Sequence, residues 1–376
     1  MIDVSSTHEV LVENEFDLSD ELKQYFSNKF SLSDKKESIL VEEESFIKDW
    51  ERYFADAKAN GTFKVLRQCY PQLNFPIENE INKTQDYINA VLKGKVEGLE
   101  SNLGLNNPAG IELEIHDGFA GRIPVIKVAG SQDFTKIIQC FIHKNNPVNV
   151  PKSMGALLAN SLNNWDRIHT LRNKWLANNP LGDWNQEFSR NVLPNPSLFK
   201  DKVIILSTKS YSNLPAESLG LPEDVWQSFS YSIRLHHECS HLYTLKRYGC
   251  ASNNLHDELI ADYVGICKAI GHFNKDWMLS FMGLENYPQY RKGARLENYL
   301  GDTNLTMSNF DQLIRIIKNA IENIAIFDAE IGKTTSDNDL KNRIESLCET
   351  DVLNIASQNG AYLLIEKYNH KKIVNG

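Results

Sequence analysis

Apolar residues recur three or four positions apart along most of this chain, with polar residues between them. This spacing is typical of amphipathic helices, in which one face is buried and the other faces water. The clearest case is residues 308–328, where one face carries Phe310, Leu313, Ile314, Ile317, Ile321 and Ile324. The same pattern predicts helices over residues 20–30, 42–59, 83–93, 131–142, 152–163, 164–178, 222–248 and 254–270.

Three short segments follow a strand pattern instead. Residues 111–116 alternate between apolar and polar, and residues 122–128 are rich in β-branched side chains. The turn between them contains Gly118 and Gly121, so the pair predicts a β-hairpin. Residues 202–207 (KVIILS) form a short apolar run that predicts a buried strand. The expected fold class is therefore α+β and rich in helix.

Charge and cysteine usage narrow the function classes. The chain has 49 acidic against 40 basic residues and a formal net charge of −9, and no basic run offers a surface for nucleic acid. No apolar stretch approaches the length of about 18 residues that a membrane span needs, and the first residues lack the order of a secretory signal. The six cysteines show no CxxC spacing, which predicts free thiols in a reducing compartment. We therefore expect a cytoplasmic protein that binds neither nucleic acid nor membranes.

One motif stands out inside the helix predicted over residues 222–248. The segment from His237 to His241 reads His-Glu-Cys-Ser-His and has the form HExxH. Residues four apart share a face of a helix, so both imidazoles can bind one metal ion. Glu238, one step round the helix, is then placed to act as general base on a metal-bound water. The motif predicts zinc-dependent hydrolysis, with Cys239 as a small packing residue.

The next predicted helix, over residues 254–270, offers the group that HExxH lacks. A catalytic zinc site has three protein ligands and an open fourth position. Glu258, 17 residues after the motif, is the candidate third ligand. Asp262 lies four residues further along the same face, where it could accept the free ring N–H of a liganding histidine. Asp257 and His256 remain competing candidates for the third ligand.

An HExxH motif followed by ExxxD on a second helix resembles the gluzincins, the thermolysin-like clan of zinc metallopeptidases. The resemblance implies that His237, His241 and Glu258 are metal ligands. It implies further that Glu238 is the general base and that Asp262 supports a ligand. The pattern of the whole chain is also similar to bacterial proteins of unassigned function.

The gluzincin resemblance covers about residues 202–271 and departs from the family in three places. The spacing from the motif to Glu258 is shorter than in thermolysin, Asp257 stands where asparagine is usual, and Ala261 replaces a common serine. The resemblance implies a zincin-like core, in which a small mixed sheet accompanies the active-site helix and the glutamate helix. It also implies that residues 202–207 are the edge strand that pairs with an extended peptide substrate.

Length and motif position together suggest the domain organisation. At about 150 residues per domain, a chain of 376 residues predicts two domains or one large one. We expect a loosely packed polar arm over residues 1–40 and a helical or α+β region with the hairpin over residues 41–200. The zincin-like metal-binding region with C-terminal helices is expected over residues 201–376.

The leading hypothesis is a zinc-dependent hydrolase that cleaves a peptide or amide bond in a peptide or protein substrate. The reaction needs a group that stabilises an oxyanion. Candidates for that role, or for other substrate contacts, are His272, Arg295 and Tyr299, with Tyr243 and Tyr248 also possible. Two histidines and one carboxylate can also hold Fe(II), so the alternative is an oxygenase-type or other peptide-modifying enzyme. A binding module that holds a metal without catalysis is the remaining alternative.

Overall fold

The structure is a computed structural model that describes residues 18–30, 43–251, 254–299 and 306–374. The chain forms two compact units. The central unit comprises residues 41–209, and the HExxH unit comprises residues 1–40 together with 210–376. Of the predicted arm over residues 1–40, all but residues 18–30 lies outside the described residues.

Helices outnumber strands in the described part of the chain. The helices are α1 (Asp20–Tyr25), α2 (Ile47–Asn60), α3 (Thr62–Cys69), α4 (Gln85–Tyr87), α5 (Ser131–Ile142), α6 (Trp165–Asn178), α7 (Trp184–Glu187), α8 (Glu223–Tyr248), α9 (Leu255–Ile270), α10 (Lys275–Met282), α11 (Met307–Ile331), α12 (Asp337–Cys348), α13 (Val352–Ala356) and α14 (Gly360–Val374). The strands are β1 (Ile111–His116), β2 (Ile123–Val128), β3 (Ala156–Asn163) and β4 (Lys200–Ser207). The helix-rich α+β fold class is thus confirmed.

The strands form one small mixed sheet in the central unit, in the order β1-β2-β4-β3. β1 and β2 pair antiparallel, so the hairpin predicted over residues 111–128 is confirmed. β4 pairs parallel with β2 and antiparallel with β3. The buried strand predicted over residues 202–207 is therefore present, but it lies in the interior of the sheet.

Two sequence predictions about this sheet are wrong. The predicted edge strand at residues 202–207 has a neighbour on each side, so its backbone groups are already paired and it cannot receive an extended peptide. Its run of apolar residues suits a strand buried on both faces, which is typical of a sheet interior. Residues 152–163 do not form a helix, because residues 156–163 pair along β4 as β3. Alanine and leucine in that segment favour helix locally, and the strand pairing outweighs the preference.

A buried carboxylate on β4 ties the central unit together. Asp201 is fully buried and accepts hydrogen bonds from the Trp50 indole at 3.0 Å and the Tyr70 hydroxyl at 2.8 Å. The Asn164 amide and the Arg167 guanidinium also donate to it, at 2.7 and 2.8 Å. Four donors surround the carboxylate, so its burial in the core is tolerated.

The HExxH unit is helical throughout its described elements. Its described residues contain no strand, and β-type pairing there is confined to an isolated bridge between Asn286 and Gln289. The sheet and the HExxH helix therefore belong to different units. The predicted helix over residues 308–328 is present as α11, whose apolar face is buried. Leu22 and Phe30 are also buried, so the expectation of a loosely packed arm is wrong for residues 18–30.

The two helices that carry the motif residues have clear sequence signals at their ends. Pro222 precedes α8, and Gly249 ends it in the left-handed conformation. The Asn254 side chain caps α9 by accepting from the Asp257 N–H, and Gly271 ends that helix. Both helices begin within one residue of the predicted start and end at the predicted residue.

Among the described helices, none is long and apolar enough to cross a membrane. The six cysteines, all of them within the described residues, carry free thiols as the spacing predicts.

The crossing of α8 and α9 is unusually close at Gly265. A Cβ atom at this position would stand 2.7 Å from the backbone carbonyl oxygen of Ile233 on α8. Gly265 lies three residues after Asp262, and Ile233 lies four residues before His237. The absent side chain therefore lets the two helices approach each other about one turn from His237 and about two turns from Glu258.

We expect Gly265→Ala to destabilise the metal-free protein by about 1–3 kcal/mol, because the new methyl group meets backbone that cannot rotate away. Helix propensity alone would give the opposite sign, a stabilisation of about 1 kcal/mol. Urea denaturation of the metal-free variant decides between them. A more stable variant would mean that the helices have room at this crossing.

Candidate metal centre

The three predicted ligands come together between α8 and α9. His237, His241 and Glu258 are buried, and one potential ligand atom of each lies within 4.8 Å of the others. The two imidazole Nε2 atoms are 3.0 Å apart, and the Glu258 oxygens lie 3.4 and 3.6 Å from them. Four-coordinate zinc with Zn–N bonds near 2.0–2.1 Å separates its ligand atoms by about 3.3–3.5 Å. The group could therefore hold one metal ion of that size.

Each of the two imidazoles is oriented by its own carboxylate. The Nδ1 atom of His237 lies 2.9 Å from an Asp262 oxygen, which is the partner that the sequence predicts for a ligand histidine. The Nδ1 atom of His241 lies 2.8 Å from an Asp257 oxygen, and neither atom has another hydrogen-bonding partner among the described residues. Both rings therefore carry their proton on Nδ1 when neutral and present a lone pair at Nε2.

This orientation makes the centre unfavourable without a cation. Two lone pairs that face each other at 3.0 Å, with a carboxylate beside them, repel one another in a buried site. Either a metal ion or an added proton removes the repulsion. The donor set of two nitrogens and one carboxylate oxygen suits zinc and also other first-row divalent metals.

The residues that competed with Glu258 for the role of third ligand lie outside the ligand group. Asp257 was a candidate ligand, and it lies instead on the far side of the His241 ring as that ring's partner. His256 points elsewhere, with its Nε2 atom 2.9 Å from the Leu347 carbonyl oxygen. Cys239 is buried outside the ligand group, and burial raises the pKa of its thiol.

A second layer of side chains holds Asp262. The Tyr211 hydroxyl donates to Asp262 Oδ1 at 2.5 Å and lies 3.0 Å from His237 Nδ1. The Arg295 guanidinium donates to Asp262 Oδ2 at 2.7 Å and to the Tyr211 hydroxyl at 2.8 Å. The sequence did not indicate Tyr211, because it lies in an irregular stretch before α8 where no spacing rule applies.

Of the three residues proposed as oxyanion or substrate contacts, two reach the candidate metal centre and one does not. Arg295 and Tyr299, on one 3-10 turn, both reach the centre and donate to Glu258 at 3.2 and 2.8 Å. His272 does not, because it is exposed beyond the end of α9, which carries it about 18 Å along the helix axis from Glu258. The hydroxyls of Tyr243 and Tyr248 lie against carboxylates on or just after α12.

Glu238 lies next to His237 on α8 and is also buried. Its negative charge is one of the causes that raise the pKa of His241. The centre thus contains four carboxylates and two guanidiniums, a net of two negative charges when both imidazoles are neutral. A divalent cation balances this charge. The groups counted are Glu238, Asp257, Glu258, Asp262, Arg234 and Arg295.

The pKa values of the metal-free centre follow from this charge balance. Burial alone would lower the pKa of His241, but Asp257, Glu258 and Glu238 outweigh it and raise the value to about 10. The pKa of His237 is also raised, since hydrogen bonds to Asp262 and Glu258 outweigh its burial. Burial alone would raise the pKa of Glu258, but the two imidazoles and Arg295 outweigh burial and hold this pKa well below its usual range.

Comparison with known proteins adds one family. Residues 10–359 match the sequence model of DUF7005, described as a family of unknown function. No curated protein and no solved structure matches the chain. The matched range includes α8 and α9, so the candidate metal centre lies within the part of the chain that the family model covers.

We expect Asp257→Asn to weaken zinc binding by about 10- to 100-fold, because the amide keeps the position but loses the charge that polarises the His241 ring. Competition with a chelating dye would measure the affinity. Asp328→Asn is the matched control, since Asp328 is a buried carboxylate of the same unit that pairs with Arg343 away from the centre. Equal affinities in Asp257→Asn and wild type would contradict the assigned role.

Metal uptake should also release protons at pH 7. The pKa of His241 in the metal-free centre is about 10, so the ring is charged at neutral pH and must lose its proton to bind a metal. We expect at least about one proton per metal ion, and an affinity that rises about tenfold per pH unit up to about pH 10. Calorimetry in buffers of different ionisation enthalpy measures this number. Uptake without proton release would contradict the charge balance described above.

Proposed function

The chain belongs to the DUF7005 family, and we propose that it is a zinc-dependent hydrolase that cleaves a peptide or amide bond. The observation that carries the proposal is the convergence of two Nε2 lone pairs and one carboxylate at spacings of 3.0–3.6 Å. The adjacent Glu238 supplies the base that such a centre needs. We infer further that α8 and α9 correspond to the active-site and glutamate helices of a zincin-like core.

The buried charge supports a metal ion in preference to an ordinary pair of core histidines. A structural histidine is usually satisfied by one donor and one acceptor. Here both Nδ1 atoms are used by Asp262 and Asp257, and both Nε2 atoms point at each other and at Glu258. Such an arrangement costs stability unless a metal ion or an added proton lies between the two Nε2 atoms.

A bound zinc would act as a Lewis acid on the substrate carbonyl and would acidify a water. Glu238 is then the residue that accepts the proton of that water and passes it to the leaving amine. Its burial keeps bulk water from competing for the proton. Asp257 and Asp262 keep the two imidazoles in the tautomer that binds metal.

The substrate class follows from the chemistry and not from strand addition. A peptide or protein is the proposed substrate, because an HExxH centre with a third carboxylate ligand suits amide hydrolysis. Because β4 is paired on both sides, the proposal includes no role for that strand in substrate binding.

The first test is metal content, measured on protein purified without a chelating tag. We expect one equivalent of zinc in wild type and its loss in His241→Ala and Glu258→Ala. His256→Gln is the matched control, because His256 is a buried histidine of α9 that lies outside the ligand group. Iron in place of zinc would favour the oxygenase-type alternative. Absence of any metal after reconstitution would overturn the proposal.

The second test separates binding from catalysis. Glu238→Gln should keep the metal and lose peptide hydrolysis by about 10²–10⁴-fold, because the amide cannot accept the proton of the water. A library of peptides with mass-spectrometric detection of products provides the assay. Hydrolysis that persists in Glu238→Gln would contradict the role of this residue, and a zinc-loaded wild type that cleaves nothing would favour a non-catalytic metal site.

A further inference from the structure

The two oxygens of Glu258 have different surroundings. Oε2 accepts from the Tyr299 hydroxyl at 2.8 Å and from Arg295 Nη2 at 3.2 Å. Apart from the two histidines, the described side chains that donate to Glu258 all donate to Oε2 and none donates to Oε1. Oε1 faces the His241 Nε2 atom at 3.6 Å, while Oε2 lies 3.4 Å from the His237 Nε2 atom. The carboxylate thus straddles the two imidazoles.

A carboxylate in that position would by default offer both of its oxygens to a metal ion. Each oxygen has two lone-pair directions in the plane of the group. Tyr299 and Arg295 both donate to Oε2 and neither donates to Oε1, so Oε1 is the oxygen whose lone pairs remain for the metal. The distinction matters because a catalytic zinc needs an open position for water, which a second oxygen of Glu258 would fill.

The turn that supplies the two donors is itself fixed from two sides. Arg295 is buried, and its guanidinium also donates to Asp262 at 2.7 Å and to the Tyr211 hydroxyl at 2.8 Å. At the other end of the turn, the Tyr25 hydroxyl donates to the backbone carbonyl oxygen of Tyr299 at 2.9 Å. The donors are therefore in place before a metal arrives.

We propose that Tyr299 and Arg295 are positioning residues that keep Glu258 a one-oxygen metal ligand and so preserve the open coordination position. This inference rests on the proposed metal centre. It gives the two residues a role that acts through Glu258 and requires no contact with substrate. It also gives the described part of the N-terminal segment a function, because Tyr25 holds the turn.

The test is Tyr299→Phe in the full-length protein loaded with Co²⁺, whose visible absorption weakens as its coordination number rises. Removing the hydroxyl frees one lone pair of Oε2, which can then bind the metal. We expect the absorption per bound cobalt to fall by about twofold or more, with one cobalt still bound. Tyr263→Phe is the matched control, because Tyr263 donates to the buried Asp328 at 2.7 Å and should leave the spectrum unchanged.

Tyr25→Phe serves as a second variant, with a smaller change in the same direction, because it loosens the turn and leaves the Tyr299 hydroxyl in place. An unchanged cobalt spectrum in Tyr299→Phe, or loss of cobalt binding in that variant alone, would overturn the inference and leave the proposed hydrolase standing. A wild-type protein that binds neither cobalt nor zinc would overturn the proposed function as well. The two failures are therefore distinguishable.

Discussion

Two imidazole nitrogens that face each other 3.0 Å apart in a buried, acidic site are the constraint on which the rest of the HExxH unit depends. The arrangement is tolerable only because carboxylates fix both rings from behind and because a cation can lie between them. A helix alone can place two histidines on one face. The second helix must supply the ring partners and the third ligand, so the close crossing of α8 and α9 is a condition for the site.

Charge explains why so many ionisable groups can be buried together. Four carboxylates with two guanidiniums leave two negative charges, which either a divalent metal or two protonated imidazoles can neutralise. Both states can retain the same contacts, since Asp257 and Asp262 accept from the rings in either case. Binding of a cation would therefore require no rearrangement of the core, because the buried carboxylates already have partners.

Local signals predicted much of the fold and the three residues of the candidate ligand group. Proline, glycine and asparagine at the helix ends gave the bounds of α8 and α9, and the HExxH and ExxxD spacings identified the residues that meet between them. Other parts depend on distant pairing that periodicity does not encode. The strand at residues 156–163 exists because β4 lies beside it, and leucine and alanine there suit a helix equally well. Tyr211 and the role of Asp257 emerge only when two separate segments are brought into contact.

The division of the chain has a consequence for the order of events during synthesis. Residues 41–209 are one continuous stretch, so the central unit has its whole sequence once that stretch has left the ribosome. The HExxH unit must wait, because the hydrogen bond between Tyr25 and Tyr299 joins residues 274 positions apart. Tyr25 is translated before the central unit, and its partner Tyr299 is translated only after the whole of that unit. The ligands of the proposed metal centre thus acquire their full environment only after residues 295–299 have been synthesised.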